Sequence, residues 1–166
     1  MDKNFHTAML LPGDALLYFS GDLFDWIVAV KTWTCVAHVE IYAGQGLSVA
    51  SRNGRGVNRY PLRQAGICCV RRPVGHLDRE AAREWFERKA RGQRYDWLGL
   101  LCFTLAVRRG SRRRMFCSEF ATRWYRAAGH VPFDSEWDAD KVPPSFFLAS
   151  PNFETVWKHV KLLKGD

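Results

Sequence analysis

From Ala37 to Tyr42 the chain alternates strictly: Ala37, Val39 and Ile41 are aliphatic, and His38, Glu40 and Tyr42 between them carry functional groups. A two-residue repeat does not suit an amphipathic helix, whose apolar positions recur every three or four residues, but strand side chains point alternately to opposite faces. Cys35 to Ala43 is therefore predicted as a strand, with His38, Glu40 and Tyr42 on one face and Val39 and Ile41 on the other. Gly44-Gln45-Gly46 then reads as a tight hairpin into Leu47 to Ser51. The chain is thus committed early to an antiparallel sheet.

The rest of the first half fits that sheet. Leu11-Pro12-Gly13-Asp14 is a turn feeding a buried strand, Ala15 to Phe19. The glycine-rich loop Asn53-Gly54-Arg55-Gly56 leads to Val57, and Ile67-Cys68-Cys69-Val70 makes a further strand with the two cysteines on opposite faces. Leu23, Trp26, Ile27 and Val30 are spaced for one face of a helix over residues 22–33.

The second half reads as mostly helical. Asp78 is a candidate N-cap for Arg79 to Arg91, with Ala82, Trp85, Phe86 and Lys89 at helical spacing. Tyr95-Asp96-Trp97 is predicted to begin a second helix through Leu98, Leu101, Cys102 and Leu105, interrupted by the basic loop Arg108 to Arg114. Phe116 to Ala128 is a third, with Phe116, Phe120, Trp124 and Ala127 as its core face and Gly129 as its C-cap. Beyond Pro143-Pro144, Phe153 to Leu163 is predicted as a strand. The expected class is α+β, a small antiparallel sheet packed against helices. With 166 residues and no repeat or linker, residues 1–166 form one expected domain.

Hydrophobic residues make up 47% of the chain, including 11 Phe and 7 Trp, which excludes a disordered chain. The net charge of +8 favours anionic partners of unspecified kind. The five cysteines show no disulfide framework and read as reduced thiols. The start lacks the apolar run and cleavage site of a signal peptide, and no stretch reaches the ~18 apolar residues of a spanning helix. The expectation is a soluble product, cytoplasmic when synthesised, with any export following a route that needs no cleaved signal.

Cys117 falls at the predicted first turn of the third helix, after Arg112-Arg113-Arg114. Unpaired N–H groups and nearby cations both favour a thiolate there. A nucleophilic thiol needs a base, and an imidazole suits that task. His38 is the natural partner, with Glu40, two residues on and on the same face, to orient it. The competing assignments are a buried core cysteine and a solvated edge-strand face carrying His38 and Glu40. His6, His76, His130 and His159 lie in turns, at termini or beside glycine, and are expected at the surface. Cys35 and His38 have C-x-x-H spacing, but no second pair completes four zinc ligands, so no metal or organic cofactor is expected. The arginines of 108–114 lack interleaved aromatics, which argues against nucleic acid.

Four stretches in order carry a resemblance: Pro12-Gly13-Asp14-Ala15-Leu16-Leu17; Ala37 to Tyr42 with Gly44 and Gly46; Tyr95-Asp96-Trp97-Leu98-Gly99; and Phe116-Cys117-Ser118-Glu119-Phe120. Together with Pro143-Pro144 and Ser150-Pro151 in the tail, they resemble the circularly permuted branch of the NlpC/P60 papain-like superfamily, the YiiX/YebB-like proteins. The resemblance spans nearly the whole chain. It implies a permuted papain-like fold in which the base precedes the nucleophile, as His38 precedes Cys117. It implies a cysteine peptidase or amidase acting through a thioester, with peptide or amide substrates and bacterial cell-wall peptides foremost. Permuted relatives place a third polar residue near Ser48, Ala50 and Ser51; alanine has no functional group, so Glu40, Ser48 and Ser51 are the candidates. The alternatives are a lipid acyl hydrolase or acyltransferase of related permuted fold, a non-catalytic binding module, and a nucleic-acid-binding protein.

Overall fold

The structure, a computed structural model, describes residues 5–19, 36–96, 114–133 and 137–159. Strands β1 (Ala15–Phe19), β2 (Val36–Gly44), β3 (Leu47–Arg52), β4 (Gly56–Pro61), β5 (Ile67–Pro73) and β8 (Phe153–Lys158) form one six-stranded sheet in the order β4-β3-β2-β1-β5-β8. Every neighbouring pair is antiparallel. A second, two-stranded parallel ribbon joins β6 (Arg94–Tyr95) to β7 (Arg114–Met115). The helices are α1 (Arg79–Trp85), continued by a π-helical turn over Phe86–Ala90, α2 (Cys117–Ala127) and the short α3 (Phe146–Ala149).

β2 lies inside the sheet, flanked by β1 and β3, so both its backbone edges are paired. Its alternation holds, but neither face is solvated. Val39 and Ile41 join Leu17, Val49, Phe120 and Tyr125 in the main core. Tyr42, on the His38 side, packs with Leu16, Tyr18, Ile67 and Val70 in a second apolar cluster. A solvated edge-strand face for His38 and Glu40 is thereby excluded: the two side chains are 10% and 0% exposed.

Helix α2 packs on β2, β3 and α1. Its buried surface is wider than the Phe116, Phe120, Trp124 stripe, because Ala121, Tyr125 and Ala128 are also buried, whereas Ala127 is only half-buried. Polar groups on this helix reach internal acceptors instead of water: Ser118 Oγ donates to the Val142 carbonyl at 2.6 Å, and Tyr125 Oη to the Gly13 carbonyl at 2.8 Å. The Tyr125 bond ties the helix to the turn before β1. Gly13 has φ +100°, and a Cβ there would lie 2.4 Å from Leu77 Cδ2, so glycine is required.

Several local expectations are met. Asp78 caps α1 by accepting from the Ala81 amide at 2.9 Å, and Gly129 ends α2 with φ +71°. Phe153–Lys158 is a strand and completes the sheet beside β5, and residues 160–163 of the expected strand lie outside the described residues. Others are corrected. Tyr95 is in strand β6, not a helix, because the Arg94-Tyr95 backbone pairs with Arg114-Met115. His130 is buried: its amide bonds the Tyr125 carbonyl at 2.9 Å, folding the chain back so that the ring stacks edge-on to Tyr125 and Phe153. Cys68 and Cys69 both enter the main core, because Cys68 is the extra residue of a bulge opposite the Leu17–Tyr18 step. The helix expected over residues 22–33, Cys35, the Trp97 to Leu105 stretch and Arg108 to Arg113 lie outside the described residues. No helix among the described residues is long and apolar enough to cross a membrane.

Candidate active site

The site is built where β2, β3 and the start of α2 meet. Tyr18 pairs with His38 and Phe19 with Val36, leaving Ala37 as an extra residue. Such a bulge bends a strand and re-aims its side chains. His38 follows it directly and is 8% exposed, with one ring nitrogen, Nε2, 3.1 Å from Glu40 Oε1. The Cys117 side chain lies near enough to act on the charge of the imidazole. Cys117 is the first residue of α2, 4% exposed, and Phe116 before it offers no side-chain cap. The first-turn amides of a helix lack intrahelical acceptors, so partial positive charge gathers at the end of the helix that carries Cys117.

Glu40 is the most heavily bonded side chain of the site. Besides His38, it accepts from Ser48 Oγ at 2.6 Å and from Arg52 Nε and Nη2 at 2.8 and 2.9 Å. Tyr18 Oη stands 3.5 Å from the same carboxylate but bonds the Arg63 carbonyl more closely, at 3.0 Å. The geometry follows from register. Ile41 pairs with Val49, so Glu40 falls opposite Ala50, with Ser48 and Arg52 at the two diagonals on the same face. A methyl group opposite the carboxylate leaves room for both neighbours to close over it. Arg52 stacks on Tyr60 at 4.3 Å, which holds its guanidinium in place.

The electrostatics follow from these contacts. Burial alone would raise the Glu40 carboxyl, but the hydrogen bonds from His38, Arg52 and Ser48 hold it well below the usual carboxylate range. Burial pushes the His38 imidazole down, yet the adjacent Cys117 and Glu40 outweigh it and raise it to about 10. The imidazole is thus held as a cation beside the buried Glu40 carboxylate. Glu119, one turn into α2, is pushed up to about 7, chiefly by burial.

Of the residues singled out in the sequence, Cys117, His38 and Glu40 converge. Ser48 supports Glu40 without touching the imidazole, and Ser51 donates instead to the Met115 carbonyl at 2.5 Å. Arg52 and Tyr18 were not anticipated. The Arg52 signal is its even spacing from Ser48 along one strand, but using it requires the β2–β3 register, which an irregularity between Tyr42 and Gly44 shifts.

These features define an α+β fold in which a six-stranded antiparallel sheet carries the imidazole and a helix start carries the thiol. Among solved structures, this chain is similar to the metalloprotein YiiX from Escherichia coli O157:H7, with a TM-score of 0.67 at 19% identity over 91% of this chain and 98% of that one. At that identity the likeness shows a shared fold. No protein-family model matches the sequence, and no curated protein matches it.

Proposed function

We propose that this protein is a cysteine hydrolase of the circularly permuted NlpC/P60 papain-like type, cleaving amide or peptide bonds through a thioester. The observation that carries the reading is a buried imidazole held by Glu40 at 3.1 Å and electrostatically coupled to Cys117, which sits at an uncapped helix start. A thiolate beside an imidazolium is a nucleophile at neutral pH. The order of the chain, His38 before Cys117, fits a permuted arrangement.

Cys117 Sγ attacks the carbonyl carbon, and the oxyanion is stabilised by the N–H groups that open α2. The carbon–nitrogen bond breaks as His38 gives its proton to the departing amine, leaving a thioester. Water then attacks, His38 takes its proton, the carbon–sulfur bond breaks, and the acid leaves with the thiolate restored. Glu40 is a positioning residue: it orients His38 and supports its positive charge, and Arg52 and Ser48 orient Glu40. Bacterial cell-wall peptides are the proposed substrates.

The structural neighbour is described as a metalloprotein. Among the described residues of this chain, no three His, Cys, Asp or Glu side chains are grouped to hold a metal ion, and both Glu40 oxygens are occupied by Arg52, Ser48 and His38. This donor set does not fit a metal, and the chemistry derived for the site uses the thiol and the imidazole.

Iodoacetamide labelling across pH, with each cysteine mapped by mass, tests the proposal on wild type and His38→Ala. Cys117 should label selectively below pH 7, and His38→Ala should slow it at least tenfold there. A Cys117 no more reactive than Cys68 or Cys69 would overturn the reading.

A further inference from the structure

The imidazole borders a cleft of about 280 Å³ whose walls include Glu40, Arg52, Asn53, Arg55 and Arg63. Its charges do not balance. Glu40 accepts two hydrogen bonds from Arg52 and lies 3.1 Å from His38 Nε2. Arg55 and Arg63 remain, and neither has an acidic partner among the described residues.

Both guanidiniums are carried on fixed backbone. Arg63 lies over the Tyr18 ring at 4.6 Å, while Tyr18 Oη bonds the Arg63 carbonyl. Arg55 closes the β3–β4 turn, its amide bonding the Arg52 carbonyl at 3.1 Å. That turn is anchored at Gly56, where a Cβ would lie 2.3 Å from the Gln93 carbonyl oxygen; the close approach lets Val57 N bond that same oxygen at 2.8 Å. The cleft thus sets two unmatched planar cations, each a fork suited to an oxyanion, beside the His38 imidazole.

We infer that the substrate carries an anionic group, a carboxylate or a phosphate, which Arg55 and Arg63 hold next to the bond attacked by Cys117. This rests on the acyl-transfer reading for its catalytic half only; the anion site stands on the cleft. The cleft's 280 Å³ far exceeds the ~10–15 Å³ that a single water requires on the same measure. That accommodates one such group on a short linker.

The test separates the two claims. Cys117→Ala protein at low ionic strength is titrated with glutarate, standing for a peptide carboxylate, and separately with inorganic phosphate. Backbone amide shifts report binding at residues 53–56 and 63. At least one anion should saturate, and the tighter of the two names the group; binding should weaken at least tenfold in the Arg55→Gln/Arg63→Gln variant and persist in the corresponding double lysine variant. No saturation by either anion, or equal affinity in the glutamine variant, overturns the inference. In parallel, wild type is assayed on p-nitrophenyl hemiglutarate and p-nitrophenyl valerate, which differ by a carboxylate in place of a methyl group. The charged ester should be preferred at least tenfold in kcat/KM, and the glutamine variant should lose that preference. Anion binding without turnover of either ester would sink acyl transfer and leave the anion site standing. Turnover of both without discrimination or anion binding would do the reverse.

Discussion

Replacing Glu40 by glutamine removes one charge with almost no change in volume, at the most interconnected point of the site. The carboxylate is fully buried and accepts four close hydrogen bonds, from His38, Ser48 and two nitrogens of Arg52. An amide offers one acceptor oxygen and brings an NH2 into a ring of donors, so at least one present bond becomes a donor–donor clash. Removing one partner of a buried ion pair costs about 3–5 kcal/mol. The Arg52 side chain retains 19% exposure and can be partly rehydrated, which places the expected cost near the bottom of that range, about 3 kcal/mol. For a domain of this size each kcal/mol moves Tm by roughly 2–4 °C, so Glu40→Gln should melt about 6–12 °C below wild type by circular dichroism. The same variant should slow Cys117 alkylation at pH 6, because His38 loses the anion that helps keep it charged. A Tm within 2 °C of wild type, together with unchanged alkylation, would show that Glu40 neither supports the fold here nor acts on the imidazole.

The remaining expectations concern pH and packing. Glu40 has a depressed folded-state pKa, so its stabilisation is present above its ordinary value of about 4.5 and is lost as pH falls through the lower folded value; in urea titrations the gap between wild type and Glu40→Gln should narrow steadily below pH 4.5. Glu119 has the opposite sign: with a folded-state value raised to about 7, its penalty on the native state builds as pH rises from the ordinary value of about 4.5 and is complete above pH 7. Glu119→Gln should therefore be more stable than wild type at pH 8.5, by about 1–3 kcal/mol, and lose that advantage at pH 4.5; a variant weakened equally at both pH values would contradict this. Phe120 is fully buried between Trp85, Phe86 and the sheet, so Phe120→Ala should cost about 3–5 kcal/mol by chemical denaturation, and a loss under 1 kcal/mol would mean that the core is not packed there as described. Gly56→Ala forces a methyl group into the Gln93 carbonyl at a positive φ and should destabilise by more than 1 kcal/mol; unchanged stability would show that β4 does not approach Gln93 so closely.

The alternation from Ala37 to Tyr42 was sufficient to identify a strand and to put His38, Glu40 and Tyr42 on one face, because a period of two depends only on local backbone geometry. The capping residue Asp78, the terminating Gly129 and the placing of Cys117 in the first turn of a helix were legible for the same reason: each is a short-range backbone property encoded within four residues. The Glu40 contacts were not. Its partners Ser48 and Arg52 reach it across a strand pair whose register is shifted by an irregularity near the hairpin, and no local pattern specifies such a shift. Nor did the histidine's apolar neighbours disclose that its face is buried, since that depends on the cluster of Leu16, Tyr18, Ile67 and Val70 assembled from separate strands. Sequence periodicity selects elements and their faces. What covers a face, which charges meet, and whether a carboxylate two residues from an imidazole bonds it are decided by long-range packing, where the side chains that exclude water come from distant parts of the chain.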